Sequence, residues 1–368
     1  MHGPIVRGVV AALVALATAL AGLLAVGSFD PVPAADGVPP GSNLLMLVLA
    51  IALVVGFVAY AAVEWAQTRR FDSITRQFTT RTIVLMALAI PLNIVLGQTV
   101  GTALKLPVYL DSIGTILVGV LAGPIAGAAT GIFSNVAWTF ALAGTPFGSP
   151  FAWPFAIVAA VIGFTAGLFG YAGVFRSRPN TPTPRLLAGI VAAVALLGAL
   201  AVWGVLPYYR DLCGSDPSGL GGPNLCFELI SPAGVSNPVF LALAGLVIAL
   251  IGLGLVVGLV RLVRSRDLGV VVTLVAGVVS GVVSAFIAAP IAALVFGGVT
   301  GSGTDLLVAL FQQAGSDLEQ AVLQQSLISD PIDKAITYVL VFTLLGALSR
   351  RQTARFPQGE RALGTIEP

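Results

Sequence analysis

Ten apolar stretches dominate this chain: 5–27, 43–66, 82–103, 110–122, 125–143, 151–174, 186–207, 237–261, 269–297 and 331–349. Most approach the roughly 20 residues that an α-helix needs to cross a bilayer. They hold few charges, and only 9% of the 368 residues are charged, against about 25% in a soluble domain. Backbone surrounded by lipid must satisfy its own hydrogen bonds, so apolar runs of this length span as helices. The expected fold is an all-α polytopic membrane protein with about ten transmembrane helices.

The placement of positive charge orients them. Arg7, the arginines at 69–81, at 176–185 and at 261–266, and those at 350–361 account for fifteen of the eighteen basic residues. Basic residues favour the cytoplasmic side, which puts both termini there and leaves Lys105, Arg210 and Lys334 outside. The segment between residues 103 and 151 must then cross an even number of times. Two crossings, 110–122 and 125–143, turning at Gly123-Pro124, satisfy this; a re-entrant hairpin is the alternative. The first 27 residues are too long in their apolar part, and lack a small-residue cleavage site, to be a signal peptide. Cys213 and Cys226 fall in one external loop, 208–236, where a disulfide is expected.

Several chemistries have no residues to run on. The single histidine is His2, so no Ser-His or Cys-His nucleophile pair can form. Lysine occurs only at 105 and 334, which excludes a G-x-x-x-x-G-K-[ST] phosphate loop. No His/Cys/carboxylate cluster has metal-ligand spacing. The chain is expected to be no enzyme, to carry no cofactor and to bind no nucleic acid.

Polar groups inside apolar spans are costly and mark pathways or pockets. Asn93 lies near mid-membrane. Gln98, Asn135 and Trp138 lie in the outer half. Asp111, Trp153, Asp330, Asp333 and Lys334 sit at outer helix ends, and Asp305 lies in the external segment 298–330. Together they form the candidate substrate-binding set. Each also has a plainer reading. Asp111 and Asp330 precede helices and can serve as N-caps. Trp138 and Trp153 suit an interfacial belt. Asn93 and Asn135 can join helices, and Asp333 and Lys334 can be solvated at the interface or form a salt bridge to a neighbouring helix. Gly123/Gly127/Gly131, Gly163/Gly167 and Gly277/Gly281 form small-residue faces for close helix packing. Pro91 and Pro290 are expected to kink their helices. Segment 298–330 begins glycine-rich and turns amphipathic, which predicts a lid across the outer mouth.

Two stretches carry a family likeness. "ALAIPLNIVLGQTVGTALKLPVYLDSIGTILVGVLAGPIAGAATGIFSN" resembles the first helices of the substrate-binding S components of energy-coupling factor (ECF) vitamin transporters. "APIAALVFGGVTGSGTDLLVALF" and "SDPIDKAITYVLVFTLLGALSRR" resemble their last two. The resemblance implies a six-helix core, made of helices 1–4 in 82–174 and helices 5–6 with their lid in 269–349. Residues 1–81 are then a two-helix N-terminal extension with a cytoplasmic loop, 175–268 an inserted hairpin with the cysteine loop, and 350–368 a cytoplasmic tail. It also implies a bacterial plasma-membrane protein that binds a small vitamin-like nutrient from outside. A membrane coupling subunit and two ATPase subunits on separate chains would drive release inside. A membrane sensor or scaffold and an ion-coupled secondary transporter are the alternatives.

Overall fold

The computed structural model describes residues 3–26, 42–104, 106–204, 238–313 and 315–363. The described residues are 80% helical, with no strand among them. The long elements, with one short helix among them, are α1 (Gly3–Val26), α2 (Ser42–Thr68), α3 (Asp72–Thr75), α4 (Thr80–Gly97), α5 (Ile113–Ala122) and α6 (Pro124–Val136). They continue with α7 (Ala156–Tyr171), α8 (Thr183–Gly204), α9 (Pro238–Arg264), α10 (Leu268–Phe296), α11 (Thr304–Gln313) and α12 (Leu318–Ala347). Among the described residues, five helical runs are long and apolar enough to cross a membrane: Gly3–Ala25, Leu44–Thr68, Thr80–Thr102, Trp153–Tyr171 and Leu268–Phe296. The other expected spans fold as α5, α6, α8, α9 and α12. The outer surface is apolar, with Leu24 83% and Leu88 65% exposed. A soluble monomer rarely tolerates such a surface, and the protein is membrane-embedded.

The glycine faces close the core. A Cβ on Gly127 would run into the backbone of Gly163, one on Gly131 into Ala159, and one on Gly167 into Pro124. α6 and α7 therefore touch backbone to backbone. Gly277 and Gly281 seat α10 in the same way on residues 330–335 of α12. Van der Waals contact at this range is what holds helices together in lipid. The α1/α2 pair packs on α7 and α10, and α8/α9 pack on α10 and α12.

One turn decides the path of 110–143. Gly123 has φ +131° and alone links α5 to α6. A side chain there would be strained and would meet Gln77. The Gln77 Oε1 instead accepts from the N–H groups of Ile125 and Ala126, at 2.8 and 3.1 Å. These are two of the four amides that a helix start leaves unpaired. α5 thus runs from Asp111 to one end of the bundle, and α6 returns. With 10 residues, α5 is only about 15 Å long.

That end is also where the basic segments meet. The amide of Gln358 donates to Leu121 O at 2.8 Å, and Arg176 Nε donates to the carbonyl of Arg361 at 2.6 Å. Asp267 caps α10 through Gly269 N at 2.9 Å and also accepts from Ser177 Oγ and Arg178 N, both at 2.6 Å.

The last helix corrects the sequence reading. Asp330-Pro331 looks like a helix start, but α12 begins at Leu318, where Asp317 accepts from Gln320 N at 2.8 Å. Pro331 lies inside the helix, and Asp330 is not a cap. Segment 298–330 is a glycine turn, α11 and the first turns of α12. It is anchored by Val308, Phe311 and Val322 against Ala289, Ala292 and Ala293 of α10. The cysteines Cys213 and Cys226 lie outside the described residues.

Candidate functional site

A cavity of about 110 Å³ lies at the end of the bundle away from the arginines, between α4–α7, α10, α11 and α12. Two of its helices change pitch as they reach it. α4 continues as a π-helix over Gln98–Ala103 and α6 over Ala137–Ala141. Such widened turns occur frequently at functional sites. The second one carries Trp138 into the wall, packed over Gly97, where a Cβ would strike the indole.

The charged core of the site comes from α12. Asp333 is fully buried. Its Oδ1 accepts from the amides of Tyr109 and Leu110 at 3.1 and 2.7 Å. Leu110 has φ +54°, a left-handed conformation that costs a non-glycine residue about 1–3 kcal/mol. The twist helps turn two successive N–H groups onto one carboxylate, an arrangement suited to binding an anion. The other oxygen of Asp333 pairs with the Lys334 ammonium. Lys334 also donates to Ser112 Oγ at 2.8 Å and lies 3.7 Å from Asp111 Oδ1. The loop before α5 is thereby clamped to α12. Asp333 and Lys334 are not solvated interface residues; they are 0% and 4% exposed.

The opposite wall is the start of the segment expected to be the lid. Asp305 accepts from the amides of Thr300 and Gly301 and from Thr300 Oγ1 at 2.7–2.9 Å, which fixes the turn. The Tyr109 hydroxyl reaches across to Thr304 Oγ1 at 2.7 Å and Ser302 Oγ at 3.3 Å. Burial, reinforced by the nearby Asp330 carboxylate, pushes the Tyr109 phenol up from its ordinary value, so it stays a neutral hydrogen-bonding group.

The structure sorts the expected residues. Asp111, Asn135, Trp138, Asp305, Asp330 and Lys334 line the cavity, with Asp333 directly behind Lys334. Asn93, Gln98 and Trp153 do not line it. Asn93 is spent inside the bundle: its Oδ1 accepts from Gly114 N, and its Nδ2 donates to Thr115 and Ser134, all at 2.8–3.0 Å. It ties α4, α5 and α6 together. Gln98 donates to Pro146 O at 3.2 Å. Trp153 is 39% exposed. Residues the pattern did not single out are Tyr109, Phe151, Phe155 and Gln325. Tyr109 had one available signal, its place two residues before Asp111. Among the described residues, no three His, Cys, Asp or Glu side chains converge as metal ligands would. What the site can do is enclose a small polar molecule between carboxylates and aromatic faces.

No protein-family model, curated protein or solved structure matches the chain.

Proposed function

We propose that this protein is a membrane-embedded substrate-binding subunit, an S component of an ECF-type transporter. It would capture a small water-soluble nutrient of the vitamin class for ATP-driven uptake. The observation that supports this best is the position of the cavity. It is built from α4–α7 and α10–α12, the same helices that carry the resemblance, and it sits at the end remote from the arginines. With the arginines cytoplasmic, both termini lie inside a plasma membrane and the cavity opens outward. The chain binds and presents the ligand without covalent chemistry. A separate membrane subunit and two ATPases supply the work, which agrees with the lack of a phosphate loop here.

The test is purification of the tagged protein from its native membrane. The expected result is co-isolation with one membrane subunit and a pair of ATPases, and uptake in cells that stops when ATP is depleted. Uptake that survives ATP depletion and collapses with the ion gradient would make the chain a secondary transporter. Ligand binding with no transport at all would make it a sensor.

A further inference from the structure

We infer that the cavity selects a compact organic cation, and that Asp330 is the counter-ion that selects it. This rests on the substrate-binding reading above and narrows it to a ligand class.

The charges do not balance. Asp111, Asp330 and Asp333 surround a single amine, Lys334. Two of the three carboxylates are accounted for. Asp333 holds two backbone amides and the ammonium. Asp111 shares that same ammonium at 3.7 Å. Asp330 lines the cavity and is 8% exposed; none of the described residues donates a hydrogen bond to it, and the favourable charge beside it is the same Lys334 that Asp111 and Asp333 share. A buried carboxylate with only a shared counter-charge is expensive, and opposite charge is the usual remedy. Lys334 is divided among three carboxylates, so a cationic ligand would complete the balance.

A second, independent group waits in the same wall. Trp138 is 7% exposed and lines the cavity, and its indole Nε1 finds no acceptor. A buried donor left unpaired costs about 1–3 kcal/mol. The ligand should therefore bring a hydrogen-bond acceptor as well as a positive charge. The ring faces of Phe151, Phe155 and Tyr109 complete the lining, and aromatic faces attract cations further.

Size and ligand geometry narrow the class. The space is about 110 Å³, and a cavity of about 150 Å³ holds benzene. A single ring or smaller fits. A metal cation does not suit the site, because the carboxylates are not grouped as a coordination set. A flat monocation with one carbonyl or ring-nitrogen acceptor meets every feature.

Three closely related single-ring probes vary the charge: 1-methylnicotinamide, nicotinamide and nicotinate, which are positive, neutral and negative. Their affinities are measured by calorimetry on the purified protein in detergent, for wild type, Asp330→Asn and Trp138→Phe. The expected order in wild type is cation, then neutral, then anion. Asp330→Asn should weaken the cation at least tenfold and leave nicotinamide within about twofold. Trp138→Phe should weaken both amides. Preference for nicotinate, binding of the cation unaltered in Asp330→Asn, or failure of all three to bind would each overturn the inference. The outcome is separable from the transporter reading. A cation that binds a chain lacking ATPase partners would sink only the transporter assignment. A coupled transporter whose cavity prefers the anion would sink only the ligand class.

Discussion

Two groups of buried charge sit at opposite ends of this bundle, and they are built on different terms. At the arginine-rich end Arg7 of α1 meets Glu64 of α2 at 3.3 Å. Arg7 also donates to Gln67 at 2.8 Å and Ser73 at 3.2 Å, and Ser73 N donates back to Glu64 at 2.6 Å. One cation faces one anion, and the N-terminal helices are locked together near the Gln77–Gly123 turn. At the cavity end three carboxylates face one lysine. The first group is balanced in charge within the chain, although Glu64 Oε2 finds no hydrogen-bond partner. The second is complete only with something added. Structural ion pairs are closed and binding sites are left open, and here the difference can be read from charge alone.

The comparison fails if the two clusters respond alike to mutation. The largest effect is expected at Asp333, whose removal takes its nearest carboxylate from Lys334, leaving it Asp111 and Ser112, and frees two amides on the strained Leu110 turn. Breaking a buried pair by deleting one partner costs about 3–5 kcal/mol, so Asp333→Ala should fall at the upper end of that range. Denaturant unfolding in a fixed detergent reads the loss. A change under about 1 kcal/mol would mean that the loop before α5 is held by other contacts.

Glu64→Ala should cost somewhat less, about 3 kcal/mol, because the Gln67 and Ser73 contacts still attend Arg7. The double replacement Arg7→Leu/Glu64→Leu should recover most of that, since apolar residues of similar size often replace buried pairs without loss. Affinity for any cavity ligand should stay within about twofold in both variants. Loss of binding on breaking the Arg7–Glu64 pair would show that the two ends are coupled and that the N-terminal pair is part of the site.

Part of this arrangement was legible in the sequence. The glycines at 127, 131, 163, 167, 277 and 281 fall where backbones touch, because close packing in lipid demands small residues at fixed spacing. The turn at Gly123-Pro124 was legible for the same reason: few residues adopt φ +131°. The start of α12 was legible only in part. The spacing of Leu318, Val322 and Leu323 is helical, but proline after aspartate resembles a helix N-terminus, and the Asp317 cap with the docking of Val322 and Phe311 on α10 is what carries one helix through Pro331. Asn93 was also ambiguous. A deep amide marks either a ligand contact or a helix tie, and the difference lies in Thr115 and Ser134, 22 and 41 residues away in sequence. Gathering Asp111 with Asp330 and Lys334 depends on contacts more than 200 residues apart in the chain, which no local pattern encodes.

The smallest expected effect is also the most telling. If Asp330 were a structural residue, its replacement would destabilise the fold as Asp333→Ala does. It takes no hydrogen bond from the described residues and sits beside two other carboxylates, so in the empty protein its charge is opposed more than it is supported. Asp330→Asn keeps the volume and removes the charge. It should leave the ligand-free protein equally stable or stabilise it by about 0.5–2 kcal/mol, as relief of a functional liability commonly does. The rise should vanish when a cationic ligand is present, because only the wild type then gains the missing ion pair and binding to the folded state adds stability. Thermal unfolding of both forms, with and without 1-methylnicotinamide, measures the crossover. A drop of more than about 1 kcal/mol in the ligand-free variant would make Asp330 a structural residue like Asp333. The cavity end would then be closed in the same sense as the Arg7–Glu64 end.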